Sequence, residues 1–429
     1  MNILIQNARV LNPAAGADQT ADILIEDGRI AKIGPSIRAK EAKAIDATGL
    51  WLLPGLIDIH VHLREPGFEG KETIQSGTRA AAAGGITSLA CMGNTNPPID
   101  NQTGVDFILE RVAATGIVRV YPVGAITKGM ESCEIAPIGE MVEAGAVAIC
   151  DEQGIMDSQV MRRAMEYSTI FHIPVLSHAE DFALSQDGFI HEGQMAVKLG
   201  LISQPAEAEA IQVARDLLLA KKTGAQVHIT HISTAESVDL LRFYKKKGVN
   251  ATGETAPHYL LLTDESTEDF NTNAKVNPPL RTKEDQDALF EGLRDGAIDC
   301  IASDHFPWSC EDKNVEFPMA PSGVIGLETL LPVMMNQILE RSGMELAPLL
   351  RLVTDKPAKI LGIPGGVLQE GEPADLTLWD PAPRYKIDKN QFYSKSKNTL
   401  FDGWEMKGRV ARTFVGGKLV YDYDKGFLE

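Results

Sequence analysis

Between residues 53 and 365 the chain keeps one rhythm: a short apolar, β-rich run is followed by a helical stretch, and the unit recurs eight times. The runs read LIDIHVH, GITSLACMG, VRVYPVGAI, GAVAICDE, IPVLSHAE, AQVHITHIS, VNATGETAPHY and DCIASDHFP. Strand–helix units repeated this many times over about 300 residues predict an α/β fold, a (β/α)8 TIM-like barrel. A doubly wound open sheet is the alternative. It usually carries a glycine-rich phosphate loop after its first strand, and here that place holds histidines. After the sixth run, Ser233 and Glu236 form a capping-box pattern and Gly248 supplies a helix stop.

The two ends follow another pattern. Residues 1–52 and 366–429 read as short alternating strands, with hairpin signals at Asp27-Gly28 and Gly416-Gly417. They predict one small β-sandwich unit built from both termini and packed beside the barrel. The formal charge of −18 is dispersed and no basic stripe interleaves with aromatics, so no nucleic-acid partner is expected. No segment reaches the ~18 apolar residues of a membrane helix. The five scattered cysteines lack CxxC spacing and read as the reduced thiols of a cytoplasmic protein.

In such barrels the active site lies at the C-terminal ends of the strands. Those ends carry His60 and His62 on the first strand, Asp151 on the fourth, His178 on the fifth, His231 on the sixth and Asp304 on the eighth. Alternation places Asp58, His60 and His62 on the inward face, with Ile57, Ile59 and Val61 against the helices. Buried imidazoles and carboxylates need costly partners unless a cation is present. A pair of divalent metals meets that need, and a donor set without thiolate suits zinc, manganese or cobalt. Of the other histidines, His228 is expected on the opposite side of its strand from His231, and His172 and His191 at the surface. His258 is placed near the site, and His305 points away from it.

The combination HVHLREPG, HITHIS, NPPLR and SDH resembles the amidohydrolase superfamily, specifically the bacterial type I dihydroorotases, over nearly the whole chain. The resemblance implies two zinc ions per subunit. His60, His62 and Asp304 would hold one, His178 and His231 the other, with Asp151 bridging. Hydantoinases and allantoinases typically bridge with a carboxylated lysine, and no lysine lies between Lys128 and Lys198. The family usually reads DDG where this chain has CDEQG.

The implied reaction is the reversible interconversion of N-carbamoyl-L-aspartate and (S)-dihydroorotate in pyrimidine biosynthesis. A water activated between the cations attacks the ring amide, with Asp304 as general acid and base. For the substrate, the resemblance implies contacts from His62, Arg64, Asn94, Asn277 and the Ser322-Gly323 backbone. The usual DHAPH after the eighth strand is here DHFPW, putting Trp308 where a histidine contacts the carboxylate. Trp308 then either donates one neutral hydrogen bond while Arg64 carries the charge, or points away, or marks a different substrate. Assembly with aspartate carbamoyltransferase and with further copies of the chain is also implied. The rival expectations are another cyclic-amide hydrolase and a non-catalytic partner of that transferase.

Overall fold

The structure is a computed structural model that describes residues 2–186 and 188–428. Eight parallel strands make the central sheet: Leu56–Val61, Ile86–Cys91, Arg119–Gly124, Ala148–Cys150, Val175–Ser177, Val227–Ile229, Ala251–Thr255 and Cys300–Ile301. They are hydrogen-bonded in chain order, with helices between most successive strands. The last strand returns to the first through a parallel bridge between Val61 and His305, and His62 N donates to His305 O at 2.9 Å. The sheet is therefore a closed barrel.

Period-two alternation holds for most of these strands. Ala90, Ala148, Leu176 and Cys300 fill the lumen, while Leu89, Ile149, Val175 and Ile301 pack in the larger outer core. The first strand departs from the expected facing. Ile57 and Ile59 fall in the cluster of Ala90, Ala148, Leu176 and Cys300, together with Ala358, Ile360 and Leu361 of the helix Asp355–Leu361, and not in the larger outer core. The cause is a register shift against the second strand between Asp58 and Val61, which breaks the alternation before the histidines. Asp58 turns into the seam instead, where its Oδ1 accepts from Ser303 N at 3.1 Å and His60 N at 3.3 Å. Burial there pushes its carboxyl up to about 7.

Both termini build one unit, as a single nine-stranded hydrogen-bonded sheet. Trp51–Pro54 pairs antiparallel with Leu376–Lys386, joining the two ends of the chain. Its apolar face gathers Ile5, Ile23, Ile25, Leu52, Leu376 and Phe414. At both hairpins the two turn residues take positive φ: Asp27 +49° and Gly28 +77°, then Gly416 +53° and Gly417 +73°. A Cβ on Gly28 would lie 2.8 Å from Gly416 O, so the two turns pack too closely for a side chain.

The helix after the sixth strand starts one residue later than the capping pattern implied. Thr234 is its N-cap and accepts from Ser237 N, while Ser233 is drawn away to Glu209. Among the described residues, no helix is long and apolar enough to cross a membrane.

Candidate metal-dependent active site

The first-strand histidines are each fixed by their inner ring nitrogen. His60 Nδ1 donates to Glu254 Oε1 at 2.6 Å, and the other Glu254 oxygen accepts from His228 Nε2 at 3.2 Å. His228 Nδ1 in turn meets Thr252 Oγ1 at 2.8 Å. His228, expected on the side of its strand away from His231, thus lies inside the barrel beside His60: Val227 and Ile229 pack in the outer core, which turns His228 to the lumen. His62 Nδ1 meets Asn94 Oδ1 at 2.7 Å. Both rings are oriented from below, so each Nε2 points to the barrel mouth; burial opposes a charge on His60, but Glu152 and Glu254 outweigh it and raise this imidazole well above its ordinary value. Those two atoms are buried without a hydrogen-bond partner. Together with a carboxylate oxygen of Asp304, ligand atoms of these residues lie within 4.8 Å of one another.

A second convergence sits beside the first. His178 Nε2 donates to Glu180 Oε2 at 3.0 Å, which turns its Nδ1 toward His231 Nε2, 2.7 Å away. Burial, aided by His60 and Arg64, pushes His62 down to about 3. Burial with His178 and His60 does the same to His231. Both imidazoles are therefore neutral near pH 7, the form that binds a metal. Burial pushes the Asp304 carboxyl up, but His258, His60 and His231 beside it outweigh that and hold it below the usual carboxylate range. His258 Nε2 stands 3.5 Å from Asp304 Oδ2. Unpartnered imidazole nitrogens facing carboxylates, with no thiolate among them, fit divalent metals of the zinc type.

The structure does not bring Asp151 to this cluster. Its Oδ1 accepts from Ile126 N at 2.8 Å and Thr127 N at 3.2 Å, and its Oδ2 takes the Thr127 hydroxyl. The carboxylate that does arrive is Glu152, with Oε2 3.6 Å from His60 Nε2 and 3.7 Å from His62 Nε2. Burial opposes its ionisation, yet His60, His62 and His178 hold it well below the usual range. Alternation explains the exchange. Cys150 faces the lumen, so Asp151 points aside and Glu152 returns inward; the Cys150 thiol donates to Glu152 Oε1 at 3.2 Å.

Residues 49–237 match the family described as Dihydro-orotase-like. The chain is 47% identical over 422 residues to a protein named dihydroorotase from Syntrophotalea carbinolica, covering 98% of this chain and 99% of that one. It is 48% identical over 423 residues to a dihydroorotase from Pelotomaculum thermopropionicum, covering 98% of each. This chain belongs to the dihydroorotase family. Among solved structures it resembles an L-hydantoinase (dihydropyrimidinase) from Arthrobacter aurescens, at 27% identity and a TM-score of 0.90. That likeness covers 100% of this chain and 97% of the other. A dihydropyrimidinase from Brevibacillus agri follows at 25% identity and 0.87, covering 100% and 96%.

The dihydroorotase family chain opens its donor cluster into a cavity of about 660 Å³, lined by Arg64, Asn94, Asn277, Trp308, Ser322 and Gly323 among others. Arg64 leaves the first strand at φ +63°, and His231 (+34°) and Asp304 (+50°) share this left-handed backbone. Non-glycine residues rarely adopt it, and it is concentrated at functional sites. The Arg64 guanidinium lies 3.9 Å over the Phe306 ring and 4.9 Å over Trp308, and its Nη2 is buried without a partner. Trp308 lines the cavity, but its indole N–H donates to Ser322 O at 2.7 Å. Its donor is already used within the protein, and its ring forms an aromatic wall beside Arg64.

Asn277 Nδ2 donates to Glu180 Oε2 at 2.8 Å, and Gly323 N donates to Lys275 O at 2.9 Å. His305 turns away from the cluster to Glu72, 3.4 Å distant. His191, expected at the surface, is buried against Arg281, whose Nη1 is 3.2 Å from its Nδ1. Glu152, Glu254, Glu180 and Lys275 are the residues that motif reading passed over.

The Glu254 contact carries a prediction. Glu254→Gln removes one of the two acceptor oxygens that orient His60 and His228. Zinc affinity of the metal-free protein is expected to fall between about tenfold and a hundredfold. Titration with zinc under a competing chelator measures it, and an unchanged affinity would show that His60 needs no support from below.

Proposed function

We propose that this chain is a dihydroorotase that interconverts N-carbamoyl-L-aspartate and (S)-dihydroorotate with metal held by His60, His62, His178, His231, Asp304 and Glu152. The observation that carries this reading is one cavity with two chemically distinct ends. One end is lined by Glu152, His178, His231 and Asp304, with the unpartnered Nε2 atoms of His60 and His62 buried against Glu152; the other presents Arg64, whose Nη2 has no partner. A small cyclic amide bearing a carboxylate matches both ends at once.

Two divalent cations bound at the first end would activate a water and polarise the ring amide carbonyl. Asp304 is ionised and faces the same space, so it can take the proton of the attacking water. When the C–N bond breaks, Asp304 returns that proton to the departing ring nitrogen. A ureido N–H and a carboxylic acid result, and the acid gives its proton to solvent; the reverse takes up that proton and closes the ring with loss of water. His258 holds Asp304 in its ionised form, and Asn94 keeps His62 in one tautomer. Arg64 binds the substrate carboxylate through its planar fork. Burial pushes Arg64 down to about 10, with Glu152 and Asp312 opposing, so it remains charged at neutral pH.

The deciding experiment is interconversion of dihydroorotate and carbamoyl-aspartate by zinc-loaded protein, with metal measured on the same sample. Turnover of hydantoin or allantoin without dihydroorotate would move the chain to the other cyclic-amide hydrolases, a reading favoured by its structural neighbours. Arg64→Met is expected to raise KM for dihydroorotate about a hundredfold with a smaller change in kcat. Steady-state kinetics at saturating zinc measure it; an unchanged KM would place the carboxylate elsewhere. The same reading sets the enzyme in the cytoplasm, in keeping with five unpaired cysteines. It also includes self-association and assembly with aspartate carbamoyltransferase, which size analysis of the protein alone and of the mixture tests.

A further inference from the structure

The connection between strands Leu376–Lys386 and Glu405–Val415 leaves the terminal β unit and crosses to the barrel mouth. Ser394 bonds Glu72 there, and Ser396 Oγ donates to Lys71 O at 2.7 Å. Two residues on, Asn398 is only 3% exposed and uses its whole amide. Nδ2 donates to Phe306 O at 3.1 Å and to Gly323 O at 3.0 Å, while Oδ1 accepts from Trp308 N at 3.2 Å. Its backbone carbonyl also accepts from Ile325 N at 3.0 Å.

One side chain thus joins two loops, and both line the cavity at its Arg64 end. The first loop carries the Phe306 and Trp308 rings that flank the guanidinium. The second carries Ser322, whose carbonyl receives the Trp308 indole. Arg64 itself makes only a 3.4 Å contact from Nε to Pro307 O, so its position depends on those rings. Only an amide placed here supplies two donors to two carbonyls and one acceptor to a backbone N–H. Without it, Gly323 O would be left buried and unpaired, and the half-buried Phe306 O and Trp308 N would lose their partner.

We propose that Asn398, delivered by the C-terminal segment, is a positioning residue that holds the anion-binding end of the cavity in register. The carboxylate it serves rests on the dihydroorotase reading; the fastening of the two loops does not. The test compares Asn398→Asp, which keeps shape and acceptor but lacks both donors, with Asn398→Ala, which adds no charge. In both, amides in 305–309 and 322–326 are expected to exchange with deuterium at least about tenfold faster, with the rest of the barrel unchanged. Metal content stays at the wild-type level, while KM for dihydroorotate rises about tenfold and kcat stays within about threefold.

Arg412→Met breaks the 2.8 Å Arg412–Asp422 pair inside the terminal unit, and is expected to lower stability while leaving both readouts alone. Unchanged exchange and unchanged KM in the Asn398 variants would overturn the proposal, as would an equal KM rise in Arg412→Met. Should neither Asn398 variant fold, the wild type decides: the Trp308 and Ile325 amides must both exchange slowly, and fast exchange at either refutes it. If wild type leaves dihydroorotate untouched, the exchange arm still judges Asn398 separately from the function.

Discussion

Asp304→Asn, folded and loaded with zinc, is expected to turn over dihydroorotate about a thousandfold more slowly per bound metal. The substitution is nearly isosteric and keeps an oxygen toward the cluster, but it removes the group that moves the proton. Asp304 suits that work because its surroundings oppose each other. Burial raises the cost of its charge, and His258, His60 and His231 more than repay it. The carboxylate is thus ionised at neutral pH, facing the cavity and fixed on a left-handed backbone at the last strand end. Normalising turnover to measured metal separates proton transfer from metal loss, since Asp304 also contributes donor oxygens to the cluster. Retention of a tenth or more of the normalised rate would be incompatible with the acid–base role.

The second large effect distinguishes two adjacent acids. Glu152→Gln is expected to lower zinc affinity by about a hundredfold or more and to reduce activity accordingly, because it removes the charge facing His60 and His62. Asp151→Asn is expected to retain metal. Its cost falls on stability, since the carboxylate that receives Ile126 N, Thr127 N and the Thr127 hydroxyl is weakened as an acceptor. Metal content after dialysis and thermal melts of the two variants give the comparison. Loss of zinc from Asp151→Asn with retention in Glu152→Gln would restore the bridging role to Asp151.

These two acids also show where reading the chain stops. The CDEQG segment announces a carboxylate at the fourth strand end, and counting back from His178 selects Asp151. The count says nothing of which way each side chain points. That is settled by the phase of the short strand Ala148–Cys150, whose Cys150 faces the lumen. The facing of Ile57 and Ile59 likewise departs from simple alternation. A register shift inside Leu56–Val61 is a property of two paired strands and leaves no mark in either alone. Glu254 and His228 were legible only as strand residues, because their roles arise from stacking beneath His60 across neighbouring strands.

The sequence by itself determined the eightfold strand–helix repeat, the joining of both termini in one β unit, and the imidazoles and Asp304 at the strand ends. These follow from local periodicity, turn chemistry and the scarcity of buried polar residues, which a chain carries in its order. Tertiary structure alone decided which acid meets the histidines, what Trp308 does with its N–H, and how Asn398 reaches the cavity from 90 residues beyond Trp308. Those outcomes depend on distances between segments remote in the chain. Hydrogen-bond and Coulomb energies act through space, so only the closed barrel can assign them.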